Sequence, residues 1–131
     1  MTRLQSITAD PAEAEKNILA GLHWSEAEQL AEFLEVPVTR LGEILQIPPA
    51  TMARRKTSGH FSTAESEKIV RLARLYFLAE QATGSPAGAR SWLKRPQFGL
   101  NGRVPLEAAR LEVGARTVET LLGRIHHGVL A

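Results

Sequence analysis

Apolar residues recur along most of the chain at the three- and four-residue spacing of amphipathic helices. Leu30, Ala31 and Leu34 mark one such stripe, and the last apolar block, 118–125, repeats it. Glycine and proline residues separate the blocks, as turn residues between helices do. No alternation of apolar and polar residues is long enough to predict a strand. The pattern predicts an all-α protein with about eight short helices.

Several helix boundaries are predicted by residues that cap helices. Asp10 followed by Pro11 has the order of an N-cap and a first helical residue. Two Ser-x-x-Glu capping boxes, at 25–28 and 62–65, predict two further starts. Gly114, which follows a proline-initiated segment, predicts a helix end.

The clearest break in the helical pattern is the Gly-Ser-Pro run at 84–86, which predicts a domain boundary. We expect residues 1–9 to form a flexible head, residues 10–83 a helical N-terminal domain, and residues 84–131 a small C-terminal helical domain. The longest helix, 63–82, is apolar on more than one face, which predicts burial on several sides or contact with a second copy. We therefore expect a homodimer.

Composition narrows the classes of protein to consider. Of the 131 residues, 44% are hydrophobic, so the chain can bury a core. The absence of cysteine excludes disulfide bonds and thiolate metal sites. There is no apolar run of membrane-spanning length and no signal-peptide pattern, so we expect a cytoplasmic protein without a membrane partner.

Candidate chemistry is sparse. No nucleophile elbow, phosphate loop or carboxylate pair is present, so we expect neither enzymatic activity nor a bound cofactor. The adjacent His126 and His127 lack the further ligands that a metal site needs, so no metal is expected. Gly123, inside the last helix, predicts a close approach of another helix, either within the chain or in a partner.

Charge is distributed unevenly along the chain. Residues 1–39 carry an excess of acidic side chains, and the stretch 26–35 is expected to be a solvated helix face. Residues 40–76 carry an excess of basic side chains, with three adjacent cations at 54–56. A local positive patch suits a polyanionic partner, although an ordinary charged surface would have the same composition.

Two short helices joined by a tight turn and followed by a long helix have the order of a helix-turn-helix module, predicted here at about 38–58. The second helix of such a module lies in the major groove, and its outward face needs basic and hydroxyl side chains. Residues 46–48 stand where the turn usually has glycine. Ala50 and Ala53 are expected to face the core, with Met52 at its margin. The DNA-binding candidates are Thr51, Arg54, Arg55, Lys56 and Ser58.

The C-terminal block 92–128, WLKRPQFGLNGRVPLEAARLEVGARTVETLLGRIHHG, resembles the C-terminal domain of Xre/MbcA/ParS-type antitoxins. The elements that carry the resemblance are Trp92-Leu93, Pro96, the loop 99–102, Pro105-Leu106, Gly114, Leu122, Arg124-Ile125 and Gly128. Upstream, the run 54–75 is similar to the junction between the helix-turn-helix and the long helix of that family. The resemblance covers roughly residues 27–128.

The resemblance implies a function. Members of that family are antitoxins whose C-terminal domain binds a cognate toxin and occludes its NAD site. The toxin has a RES domain, which is similar to ADP-ribosyltransferases. The helix-turn-helix would bind operator DNA in the promoter of the two genes, so that the complex represses its own synthesis. The toxin-binding candidates are Phe98, Arg116, Glu119, Arg124, Gly128 and the terminal Ala131.

Two other functions remain open at this point. The protein could be a toxin inhibitor that does not bind DNA, because the turn is irregular and the basic patch is modest. It could also be a stand-alone helix-turn-helix transcription regulator with a sensor domain.

Overall fold

The computed structural model describes residues 1–128, and its regular structure there is helical, which confirms the predicted all-α class. Nine α-helices are joined by short turns, with a 3-10 turn at Phe98–Leu100. The helices are α1 Arg3–Ala9, α2 Pro11–Ala20, α3 Trp24–Leu34, α4 Val38–Ile44, α5 Pro49–Ser58, α6 Thr63–Thr83, α7 Pro86–Lys94, α8 Pro105–Ala108 and α9 Glu112–His126. None of the helices described is long and apolar enough to cross a membrane.

The first nine residues are not the flexible head that the sequence predicted. They form α1, which begins with a capping box between Thr2 and Gln5 and buries Leu4 and Ile7. The backbone amide of Leu4 also donates to the side chain of Gln29. Two apolar residues three apart are too short a pattern to predict a helix, yet they are sufficient when α2 and α3 supply surfaces to pack against.

Two of the predicted helix starts are confirmed, and one is wrong. The Asp10 carboxylate accepts from the amide of Ala12 at 3.0 Å, and the 62–65 box is present with both of its hydrogen bonds. The 25–28 box is absent, because α3 already begins at Trp24. The amide of Trp24 donates to the carbonyl of Gly59 at 2.8 Å, so this helix start is satisfied by another segment rather than by a side-chain cap.

Glu28, Glu32 and Glu35 are exposed, as expected of a solvated acidic face over 26–35, but Glu26 is fully buried. Its carboxylate accepts from the guanidinium of Arg3 and from the hydroxyl of Ser25. A buried carboxylate needs such partners, since burial without them is costly. The ion pair therefore ties α1 to the start of α3.

The chain folds into two compact units, Met1–Arg74 and the part from Leu75 onward. The division lies inside α6, whereas the sequence placed it after residue 83. The helix is continuous there, so no change in composition marks the division. Most apolar residues of α6 are buried within the chain, among them Ile69, Leu72, Ala73, Leu75, Tyr76 and Ala79. Burial within the chain thus accounts for most of its broad apolar surface, and Phe77 and Leu78 are half-buried.

The second unit contains a very close approach between α8 and α9. Gly114 lies in the first turn of α9, rather than at a helix end as predicted. A Cβ atom added at Gly114 would lie 1.8 Å from the backbone carbonyl oxygen of Ala108. Only a glycine fits at this position, because both sides of the contact are backbone.

Candidate nucleic-acid and partner surfaces

The turn between α4 and α5 keeps a regular geometry although it lacks glycine. The amide of Ile47 donates to the carbonyl of Gly42 at 2.9 Å, and the amide of Gln46 donates to that of Glu43 at 3.0 Å. These two bonds form a Schellman motif, whose left-handed residue is usually glycine. Here that residue is Gln46, with φ of 56°. The turn is therefore unusual in its sequence, which has glutamine in place of glycine, but its backbone conformation is regular.

Close packing sets α5 against α4. A Cβ atom at Gly42 would lie 3.1 Å from Cγ of Met52, so any larger residue at position 42 would force the Met52 side chain to shift. Met52 is the buried residue of α5, whereas Ala50 and Ala53 are exposed. The predicted orientation of these three residues was wrong, because Met52 has the larger apolar surface to bury and the helix rotates accordingly.

One exposed stripe of α5 therefore runs along residues spaced by three, four and seven: Ala50, Ala53, Arg54 and Thr57. Arg54 is exposed and donates to the hydroxyl of Thr51 at 3.1 Å, so these two predicted residues lie together. Lys56 is exposed as well. The hydroxyl of Ser58 donates to backbone carbonyls at the end of the helix. The sequence missed Thr57, which the corrected rotation of the helix brings to the surface.

Arg55 differs from its neighbours, because it is held within the protein. Its Nε and Nη2 atoms donate to the two carboxylate oxygens of Glu65 at 2.7 and 3.1 Å. The side chain of Arg55 is 28% exposed and that of Glu65 is 15% exposed. The hydrogen bond from Arg55 lowers the pKa of Glu65, and the same bond raises the pKa of Arg55. Because Glu65 also caps α6, this pair fixes the end of α5 to the start of α6.

In the second unit, a surface forms between the 3-10 turn and α9. Leu100 is buried and anchors the turn, whereas Phe98 is 93% exposed. Beside Phe98, Gly99 packs against Leu121, where a Cβ atom would come within 2.8 Å of that side chain. An open cleft of about 280 Å³ lies here. Its lining residues are Gly99, Arg116, Thr117, Thr120, Leu121 and Arg124.

Of the predicted toxin-binding residues, Arg116 and Arg124 line this cleft and Phe98 adjoins it. Arg116 also pairs with Glu112 at 2.7 Å on an exposed helix face. Glu119 lies on α9 outside the cleft lining, and Gly128 follows the helix with φ of 76°. Ala131 lies outside the described residues.

Two apolar residues at the start of α9 were missed by the sequence analysis. Leu111 is 69% exposed and Val113 is 72% exposed. They lie outside the buried apolar stripe of the helix. The spacing of Val118 and Leu122, which belong to that stripe, would have allowed their exposure to be predicted from the sequence. A Cβ atom added at Gly123 would meet nothing within 4 Å, so the helix approach predicted there is not to another part of the described chain.

No group of three or more metal-binding side chains is found within residues 1–128. His126 and His127 are in edge-to-face ring contact, with ring centroids 5.3 Å apart. Both residues are exposed at the end of α9.

Comparison with known proteins covers both units. The antitoxin Xre-like helix-turn-helix domain matches residues 13–74, and the antitoxin Xre/MbcA/ParS C-terminal toxin-binding domain matches residues 78–128. An antitoxin Xre of Yersinia enterocolitica is 35% identical over 98 residues, which are 73% of this chain and 66% of that protein. An antitoxin Xre of Photorhabdus laumondii is 34% identical over 95 residues, 69% of this chain and 64% of that protein.

The chain thus spans slightly less than two thirds of the length of these two relatives. The two matched domains meet between residues 74 and 78, which agrees with the division of the structure inside α6. The relatives are antitoxins rather than enzymes, as the sequence predicted. The chain belongs to the Xre family of antitoxins, with a helix-turn-helix domain followed by a toxin-binding domain.

Proposed function

We propose that the protein neutralises a cognate RES-domain toxin through its C-terminal domain and represses its own promoter through its helix-turn-helix. The observation that carries the proposal is the presence of both family domains, in this order, over most of the chain. The RES identity of the toxin rests on the resemblance of residues 92–128 to antitoxins with such partners. In the complex, the antitoxin would cover the NAD site of the toxin.

For DNA binding, we assign direct contacts to Thr51, Arg54, Lys56 and Ser58. Arg54 is the base-reading candidate, because an exposed guanidinium can bind guanine O6 and N7 together. The small side chains on the exposed face of α5 allow its backbone to approach the groove closely. Arg55 acts indirectly in this proposal, since its ion pair with Glu65 orients the helix.

The DNA proposal is tested by measuring binding to the upstream DNA of the gene at several salt concentrations. Arg54→Ala should lower the affinity by about 1–3 kcal/mol, as the loss of a bidentate base contact does. Lys56→Ala should reduce the salt dependence by about one phosphate contact. Lys16→Ala, an exposed lysine on α2, serves as the control. Unchanged binding by Arg54→Ala would contradict the assignment.

The role of Arg55 can be separated from direct contact by changing its partner. Glu65→Ala frees the guanidinium but removes the pair that orients α5. If Arg55 positions the helix, Glu65→Ala and Arg55→Ala both weaken DNA binding. If Arg55 contacts DNA directly, Glu65→Ala leaves the affinity unchanged or raises it.

For toxin binding, we assign the surface formed by Phe98 and the adjoining cleft. Phe98 supplies an exposed aromatic anchor, and aromatic residues carry much of the energy at interfaces. Arg116 and Arg124 supply positive charge for acidic groups of the toxin. Glu119, Gly128 and Ala131 remain proposed contacts, of which Ala131 would bring a terminal carboxylate.

The toxin proposal is tested by co-expression with the neighbouring toxin gene and by copurification. Phe98→Ala and Arg124→Ala should weaken the complex and reduce the rescue of growth. Arg110→Ala, which removes an exposed arginine that does not line the cleft, serves as the matched control. Full rescue by the Phe98→Ala/Arg124→Ala variant would place the interface elsewhere.

A toxin inhibitor that does not bind DNA is the second candidate. It is favoured by the ion pair of Arg55, which leaves two of the three adjacent cations exposed on α5. A complex that inhibits the toxin but shows no specific DNA binding would establish this alternative.

For the DNA-binding form we propose a homodimer, because two-fold operators require two recognition helices. Phe77 and Leu78, the half-buried large apolar residues of α6, are its candidate contacts.

A further inference from the structure

Two histidines face each other where the chain forms its isolated β-bridge, between His23 and His60. The bridge is antiparallel, and its hydrogen bonds flank the pair. The amide of Trp24 donates to the carbonyl of Gly59 at 2.8 Å, and the amide of Phe61 donates to that of Leu22 at 2.9 Å. His23 and His60 therefore form a non-hydrogen-bonded pair, the arrangement that brings opposite side chains closest together.

The two imidazole rings are close and accessible. Their centroids are 4.8 Å apart, with an angle of 85° between the ring planes. Both residues are exposed. Within residues 1–128, neither ring takes part in a hydrogen bond or ion pair. The ring nitrogens are thus available to solvent or to a ligand.

The backbone that carries the pair is fixed by buried neighbours. Leu22 and Phe61, which flank the histidines, are buried, and the amide of Leu22 donates to the buried hydroxyl of Ser66 at 2.8 Å. The ring of Trp24 stacks on Phe61 with centroids 5.6 Å apart. Binding to such a rigid pair requires little ordering of the chain, which favours affinity.

We propose that His23 and His60 together bind a divalent late transition metal ion, Zn²⁺ or Ni²⁺. Neutral imidazole nitrogen suits these ions and coordinates zinc at about 2.0–2.1 Å. Two imidazoles on one ion place their ring centroids about 5 Å apart at such bond lengths, which agrees with the observed separation. No third side chain among the described residues completes the site. The pair differs from His126 and His127, which are neighbours at one helix end, because the β-bridge holds two ligands from separate segments opposite each other. Water or another molecule fills the remaining positions.

The bound ion would join two distant parts of the chain. His23 precedes α3, and His60 follows α5, the helix of the proposed DNA contacts. An ion that binds the folded chain and not the unfolded one stabilises the fold by mass action. The inference depends only on the histidine pair and is independent of the toxin and DNA proposals.

The test is thermal and chemical unfolding of the tag-free protein with ZnCl₂ or NiCl₂, and with MgCl₂ as the control ion. At a free metal concentration ten times the Kd, the folding equilibrium constant should rise about tenfold. His23→Asn and His60→Asn should each abolish this rise. The His126→Asn/His127→Asn variant, which removes the two other histidines, should retain the rise in the folding equilibrium constant.

Three results would overturn the proposal: no rise at millimolar zinc or nickel, an equal rise with magnesium, or loss of the rise only in the His126→Asn/His127→Asn variant. A second measurement needs no variant. Nickel, which is paramagnetic in octahedral coordination, should broaden the NMR signals of the His23 and His60 rings before those of the other two histidines. The reverse order of broadening would also overturn the proposal.

Discussion

The same substitution at two glycines of α9 should have opposite effects on stability. At Gly114, a Cβ atom would lie 1.8 Å from the carbonyl oxygen of Ala108, and real Cβ atoms essentially never come within 3.0 Å of a neighbour. The backbone must therefore move by at least about 1.2 Å in a close-packed unit. At Gly123, a Cβ atom would meet nothing within 4 Å. Only the preference of helices for alanine over glycine acts there.

These contacts give the sign and size of the two effects. Gly114→Ala should destabilise the second unit by about 1–3 kcal/mol or more, the range for overpacked interiors. Gly123→Ala should stabilise it by up to about 1 kcal/mol. Each unit contains one tryptophan, so urea unfolding followed by Trp92 fluorescence in a Trp24→Phe background reports on the second unit. Equal stability of the two variants would refute the reasoning.

Three further perturbations test other parts of the fold. Gln46→Gly should stabilise the first unit by about 1 kcal/mol in urea unfolding, by relieving a left-handed residue, and a loss would contradict this. Burial, and then the hydrogen bond to Glu80, raise the pKa of Tyr76 to about 12, so absorbance should show the single tyrosine titrating there and near 10 when unfolded. Stability from Tyr76 is present below pH 10 and is lost as pH rises towards 12. Arg3→Met should destabilise the fold by about 1–2 kcal/mol, because it leaves the buried Glu26 carboxylate without its partner. Arg3→Met/Glu26→Met should recover most of this lost stability, and unchanged stability of Arg3→Met would contradict a role for the pair.

Helix positions could be predicted from the sequence because their determinants are local. Caps such as Asp10 and Ser62 act within a single turn of helix, and apolar periodicity is visible within each segment. The exception at residues 1–9 follows from the same physics. Its two apolar residues gain their stability from packing against α2 and α3, which lie outside the segment itself.

The rotation of α5 could not be predicted in the same way. This helix buries one large apolar side chain, Met52, so it has no stripe from which its orientation can be read. Its alanines are compatible with a core or with a surface. Met52 packs against Gly42 of α4, where a Cβ atom would already crowd the Met52 side chain, and this contact between two helices sets the buried side of α5.

Gly114 shows the same limit from another side. A glycine after a proline-initiated segment has the sequence pattern of a helix end, and a local reading cannot distinguish that from a glycine required by a neighbouring backbone. The contact with Ala108 decides the matter, and it joins two helices rather than two positions of one helix. A glycine that is required by a tertiary contact thus has the same sequence pattern as a glycine that ends a helix.

The three cations that first suggested DNA binding also have different roles in the structure. A guanidinium binds a carboxylate and a nucleic acid with the same planar pair of donors, so sequence alone cannot tell which ligand an arginine holds. Arg55 holds Glu65, and that carboxylate also caps α6. The pair leaves Arg54 and Lys56 exposed on a helix whose end is fixed. A recognition helix needs both properties, because free cations that bind phosphate are useful only if the helix beneath them is held in place.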